Sequence, residues 1–464
     1  MTGRKAGLER NKTGQLSVAD SMARLILAFL AAISVAAPQD LASRLDRHVQ
    51  AYVDQQWFNG SVLVARDGKP VLSKGYGMAN FEWNVPNNPQ TKFRLGSITK
   101  QFTAMLVLQL EQQGKLKVYD PIAKYMPDAP PAWQKITFHH LLTHSAGLPN
   151  FTSFPDYLRT MNEPSPPAET LQRFRDKELE FEPGARFNYS NSGYVLLGYL
   201  LEKITGKSYE QVLREQILTP LGMEDTGYDM PAPVLKNRAS GYRLGPKGYM
   251  NAAFIDMTIP HAAGAMYSTV EDLLKWDQAL YTEQLLPKAA LDRMFEPFKG
   301  NYAYGWVVGD HKGRMRIAHG GGINGFATFI ARYPKERLTV ITLANLENAQ
   351  SAKLGEELAL IAFGETVEPP RQRTAIDLDP KIFDAYAGSY QLRPGFIVRF
   401  WREGNRFMVQ ATGQPAFQVF AESETQFFLK VVDAQITFFK NEAGQVTHLV
   451  LHQGGQDVRG ERLP

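Results

Sequence analysis

The chain has 464 residues, 44% hydrophobic and 11% aromatic, so it can bury a sizeable core and exceeds the usual size of one compact domain. Its formal net charge is only +4 and no basic run is interleaved with aromatics, which argues against nucleic acid as a partner. It has no cysteine, and that excludes disulfides, thiol catalysis and zinc–thiolate sites together.

The first element is an apolar run, Leu25–Ala37 (LILAFLAAISVAA), preceded by Arg24. A membrane span takes about 20 residues, so this run is short for a span and suits the core of a secretory signal. Ser34 and Ala36 are small residues at −3 and −1 of a cut before Ala37, and Met22 is a candidate true start. Residues 1–37 are therefore read as a signal segment, and the protein as exported, periplasmic or secreted, with no membrane span after signal removal.

Residues 38–366 read as a mixed domain. Short strands are predicted at Ser61–Val64, Pro70–Gly75 and Phe93–Leu95, separated by turn signals such as Asp67-Gly68. A helix is predicted over Ser97–Gln113, with Phe102, Met105, Leu106 and Leu110 at near-helical spacing and Gly114 as C-cap. A buried helix follows at Tyr194–Ile204, ended by Gly206. Ser268 and Glu271 form a capping box opening a helix to about Leu280. Paired strands return at Ala327–Tyr333 and Leu338–Ala344. This order suits a sheet whose edges come from both ends of the domain. Residues 367–380 are polar and proline-bearing, as a linker would be. In 381–464 six strand-like runs follow at short intervals: Ile397–Trp401, Arg406–Gln410, Gln418–Ala421, Gln426–Val431, Gln435–Lys440 and Val446–His452. They predict a small antiparallel barrel or sandwich.

Three motifs carry chemistry. In Ser97-Ile98-Thr99-Lys100, the only S-x-x-K of the chain, residues three apart share a helical face, so hydroxyl and amine are neighbours. A serine hydroxyl needs a base, and lysine becomes one only when burial or a nearby cation lowers a pKa that is ordinarily about 10.4. Ser97 at a helix start also offers its backbone N–H to an oxyanion. In Tyr189-Ser190-Asn191 the phenol can relay a proton and the amide can orient the lysine and meet a substrate carbonyl. Tyr249-Met250-Asn251 repeats the pattern, but the Glu182-Pro183-Gly184 turn before Tyr189 and Gly193 after it favour the first copy. In His319-Gly320-Gly321-Gly322 the glycines allow backbone to approach an acyl group, Gly322 N–H is the second oxyanion donor, and His319 is a donor whose charge changes near neutral pH.

The three motifs in this order resemble the serine β-lactamase and penicillin-binding-protein superfamily, closest to its class C and D-aminopeptidase/esterase branch (CubicO-type). Gly75–Ala79, Phe93–Ala104 (FRLGSITKQFTA), Leu141–Pro149 (LLTHSAGLP), Phe181–Gly206 and Gln216–Met223 extend the resemblance over roughly residues 45–350. It implies an α/β (α+β) fold, an antiparallel sheet flanked by helices beside a helical subdomain, with the site in the cleft between. It further implies acylation of Ser97, Lys100 with Tyr189 as base and relay, and Asn191, His319, Gly320 and Gly321 as substrate contacts. No cofactor enters this scheme, and the substrate is a small molecule or short peptide. The tail resembles the lipocalin-like barrel appended to some members. The departure is His-Gly-Gly where many members carry Lys-Thr-Gly; the Lys-Thr-Gly at Lys12–Gly14 is out of order. A weakened anion anchor favours a D-residue peptidase or an esterase over a β-lactamase.

Other readings compete. An α/β-hydrolase would use His319–Gly322 as an oxyanion loop and Ser145 in Thr143-His144-Ser145-Ala146-Gly147 as nucleophile, but the order is reversed. His139, His140 and His144 form no H-E-x-x-H and are read as capping or packing residues. A wall-peptide or ligand sensor that acylates without turnover is the reading from another class.

Overall fold

The computed structural model describes residues 38–463 except 246–247, 371–372 and 454–455; the signal segment lies outside the described residues. The centre is a six-stranded antiparallel sheet. Its order is Val307–His311, Arg314–Ile323, Phe326–Tyr333, Leu338–Ala344, Gly60–Arg66, Lys69–Tyr76. Early and late strands thus meet in the middle, with Val62 opposite Thr342. Every residue of Leu338–Ala344 is buried, because helices cover both faces. Pro38–Asp54 and Ser351–Ala362 pack on one face through Leu45, Val49, Leu354 and Leu358.

The other face carries the helix Thr99–Gln112, buried from Thr99 through Leu110. A helix enclosed on all sides needs no polar stripe, which explains why its apolar spacing was only near-regular. Its first turn, Gly96–Ile98, is a 3-10 turn rather than part of the α-helix. The helical subdomain flanks it, with Asn191–Thr205 ending at a left-handed Gly206, φ 69°. One expectation shifts by a residue. Ser268 ends the short strand Met266–Ser268, and Thr269 is the N-cap of Val270–Ala279, its Oγ1 accepting from Asp272 N at 3.1 Å. Ser-x-x-Glu and Thr-x-x-Asp overlap in frame here, and the strand claims the serine.

The tail is a closed barrel of eight strands. Six match the predicted runs; Gly388–Arg393 and Gln456–Arg462 were missed, and they close the barrel by pairing Tyr390 with Arg462. In the last strand only Gly460 is buried, so no apolar alternation marks it. The short helix Pro380–Asp384 delivers Phe383, which stacks on Phe407 at 4.2 Å. The barrel meets the larger domain through Asn348 Nδ2–Val431 O at 3.1 Å and Lys353–Asp433 at 2.7 Å. Val431 also packs against Tyr242, Leu244 and Leu346. No helix among the described residues is long and apolar enough to cross a membrane.

Candidate active site

Two glycines bring the turn bearing Ser97 against the strand Arg314–Ile323. Gly96 has φ +55°, and a Cβ there would lie 2.9 Å from Gly322 N. At Gly321 a Cβ would lie 1.9 Å from Leu95 O and 2.2 Å from Thr328 Oγ1. Only bare backbone on both elements permits this approach. Gly321 therefore serves chain packing, whereas the Cα face of Gly322 is open, and Gly322 and Ser97 both line the cleft.

Ser97 Oγ sits between two groups: Lys100 Nζ at 2.9 Å and the Tyr189 hydroxyl at 2.8 Å. The helix spacing supplies the lysine, and the loop before Asn191–Thr205 supplies the phenol. Lys100 is fully buried, and its Nζ also donates to Asn191 Oδ1 at 2.9 Å and Ala263 O at 2.8 Å. Burial pushes its pKa well below the ordinary lysine value. Three acceptors oppose that shift, but they do not require an ammonium. A neutral amine keeps two N–H groups for Asn191 and Ala263 and turns its lone pair to the Ser97 O–H. Burial also holds the Tyr189 phenol well above its ordinary value, so it stays protonated.

Asn191 is bonded at both ends of its amide, to Lys100 and, through Nδ2, to Thr152 Oγ1 at 3.1 Å. It lines the cleft while orienting the lysine. His319 differs from expectation. Both ring nitrogens are engaged: Nδ1 donates to Gly320 O at 2.6 Å, and Nε2 accepts from Tyr302 O–H at 3.0 Å. Burial, then the neighbouring Lys100, lower its pKa to about 4, so it is uncharged at neutral pH and its titration does not fall between pH 5 and 8. The sequence pattern marked a histidine beside glycines but not the enclosure that neutralises it. The cleft, about 170 Å³, is lined by Gly322 but not by His319, Gly320 or Gly321. Its walls include Phe151, Tyr157, Ile255 and Ile323, and among the described residues no acidic or basic side chain lines it.

The other histidines cap or pack. His140 Nδ1 accepts from Thr137 N in a capping box, and His139 Nδ1 meets the Tyr304 hydroxyl at 2.9 Å. Ser145 is fully buried with its Oγ on Thr143 Oγ1 at 2.8 Å, which removes it as a rival nucleophile. Tyr249, from the second tyrosine–asparagine pattern, lies in the hairpin Tyr242–Gly245/Gly248–Asn251 and stacks on Phe81 at 4.2 Å. Sequence reasoning missed the Ala263 carbonyl, which no side-chain pattern signals, and the place of His144 against Tyr189.

Comparison with known proteins identifies the family. The family model described as Beta-lactamase matches residues 45–363, and a domain of unknown function, DUF3471, matches 372–462. Penicillin-binding protein 4* of Bacillus subtilis (strain 168) is 28% identical over 447 residues, covering 87% of this chain and 95% of that protein. Among solved structures, the octameric penicillin-binding protein homologue from Pyrococcus abyssi has TM-score 0.64 and 25% identity, covering 90% of this chain and 99% of its own. The D-amino acid amidase from Ochrobactrum anthropi SV3, complexed with L-phenylalanine, has TM-score 0.62 and 25% identity over 70% of this chain and 99% of its own.

Proposed function

The chain belongs to the beta-lactamase family, and we propose that it is a serine hydrolase of that fold which forms an acyl-enzyme on Ser97 and cleaves amide or ester bonds. The observation that carries this reading is the Ser97 hydroxyl held at 2.9 Å from a fully buried Lys100 amine and at 2.8 Å from the Tyr189 hydroxyl. Neutral Lys100 takes the Ser97 proton as Oγ attacks the carbonyl carbon. The N–H groups of Ser97 and Gly322 receive the oxyanion. Collapse of the tetrahedral intermediate breaks the scissile bond. The leaving group takes a proton through Tyr189, which regains one from the Lys100 ammonium. Water then repeats the sequence on the acyl-enzyme and releases the acid.

The substrate reading rests on charge. His319 is neutral and tied to Tyr302 and Gly320, and the cleft walls carry no cation to hold a substrate carboxylate. A D-residue peptidase or amidase, or an esterase, fits such a cleft better than a β-lactamase does. The Ochrobactrum amidase, similar over 70% of this chain, supports the amide choice. The apolar run Leu25–Ala37, read as a secretory signal, supports an activity exerted outside the cytoplasm.

A fluorophosphonate label and a panel of p-nitrophenyl esters, D-amino-acid amides, D-Ala-D-Ala peptides and nitrocefin test it. The wild type is expected to label and to turn over esters or amides fastest. Ser97→Ala is expected to lose the label and at least about a thousandfold in rate. Labelling without turnover would mean a sensor, nitrocefin as the best substrate would mean a β-lactamase, and a labelled Ser97→Ala would remove the nucleophile.

A further inference from the structure

His144 has no part in the acylation scheme, yet it lies against the phenol that does. It is 3% exposed and adopts φ +52°, a left-handed conformation that is uncommon for non-glycine residues but that histidine, like asparagine and aspartate, adopts more readily than most. That conformation lets one residue hold the chain on both sides of Tyr189. The His144 carbonyl accepts from Asn188 N at 2.9 Å, and its Nδ1 accepts from Ser190 N at 3.1 Å. Its ring lies 4.1 Å from the Tyr189 ring, tilted 36°. Tyr302 and Tyr194 enclose the imidazole further, with ring centroids 4.6 and 5.1 Å away.

Because Nδ1 accepts a backbone N–H, the neutral imidazole carries its proton on Nε2, and that buried Nε2 has no hydrogen-bond partner among the described residues. A phenylalanine would fill the space without this orphan but would lose the bond to Ser190. Burial, with Lys100 and His319 as the nearby ionisable groups, keeps the ring uncharged. The ring backs Tyr189 without placing a cation beside it.

We propose that His144 is a positioning residue, which fixes the Tyr189 hydroxyl on Ser97 by gripping the backbone on both sides of the tyrosine and backing its ring. This rests on the role given to Tyr189 above. Its bonds are to the backbone of Asn188 and Ser190, on either side of the phenol, and the proposal assigns its effect on rate to the placing of Tyr189. Misplacing a reacting group by about an ångström costs on the order of a hundredfold in rate.

The test is a double-mutant cycle on the full chain, read by ester turnover, fluorophosphonate labelling and thermal unfolding. His144→Asn removes the ring but tolerates the left-handed backbone; His144→Phe keeps a ring but removes the acceptor. Each is expected to lower kcat by about 10- to 100-fold with KM nearly unchanged, while Ser97 still labels. If His144→Phe fails to fold, His144→Asn alone decides. In a Tyr189→Phe background, His144→Asn is expected to add less than about a twofold loss, because the phenol it positions is already gone. Full independent losses in the double mutant, or wild-type kcat in His144→Asn, would overturn the assignment to His144. Wild-type kcat in Tyr189→Phe alone would overturn the role of Tyr189, and this inference with it.

Discussion

The catalytic cleft and the C-terminal barrel spend their interiors differently. Behind Ser97 the buried space holds a lysine, an asparagine, histidines and tyrosines, joined by hydrogen bonds that hold nearly every polar atom in one orientation. The barrel core is aromatic and aliphatic: Phe383 on Phe407, Tyr386 on Phe438, and Phe427 between them. The first interior gives up hydration of a titratable amine, which lowers its pKa and suits the proposed role of base. The second gains stability from area alone. Both domains have apolar cores, but only the first encloses such a polar cluster, and substitutions in the cluster and in the barrel core are expected to read out differently.

The widest separation is expected at Lys100. Lys100→Met removes the base and should cost about a thousandfold in kcat/KM, yet it also removes a buried ionisable group and should leave the melting temperature unchanged or raised. A large fall in melting temperature would mean that the amine stabilises the fold, and the contrast would fail. At Phe383 the reverse is expected. Phe383→Ala should destabilise the barrel by about 3–5 kcal/mol, measured by denaturant unfolding, with ester turnover at Ser97 changed less than about twofold. Removing the chain after Pro380 should likewise leave Ser97 able to label. Loss of labelling in either case would tie the barrel to the chemistry.

The smallest expected effect concerns His319. Its folded pKa of about 4 lies below the ordinary 6.5, so the unfolded chain binds the extra proton between those values. Its contribution is complete above pH 6.5 and is lost as pH falls towards 4, on the order of 3 kcal/mol at most. Thermal unfolding across pH 4–7 should show this slope, and His319→Gln should flatten it in part. His139 and His261, lowered to about 4 and 3, act in the same direction, as do His140, His144 and His311, whose pKa values burial also lowers. An unchanged slope in His319→Gln would mean that the ring is not held neutral.

What the sequence made legible follows the same division. Ser97 and Lys100 could be paired because helix geometry alone brings residues three apart together. Tyr189 and Asn191 needed the flanking turn to be preferred over Tyr249 and Asn251. His319 was found, but its neutrality was not, because enclosure by Tyr302 and the Gly320 carbonyl comes from tertiary contacts. Gly321 was assigned to the substrate, although its bare Cα is needed where Leu95 crosses. In the barrel, periodicity found the strands with an apolar face. It missed Gln456–Arg462, where closure rather than burial fixes the backbone.

The pairing of Gly60–Arg66 with Leu338–Ala344 has a temporal consequence. Neither Ser97 nor its lysine can be boxed in until the last third of the hydrolase domain has been made. The turn bearing Ser97 rests on Gly321 and Gly322, which emerge from the ribosome long after it. Such distant partners make for slow assembly. A nascent chain therefore carries the serine before the strand its turn rests on, and the proposed site is complete only with the finished sheet.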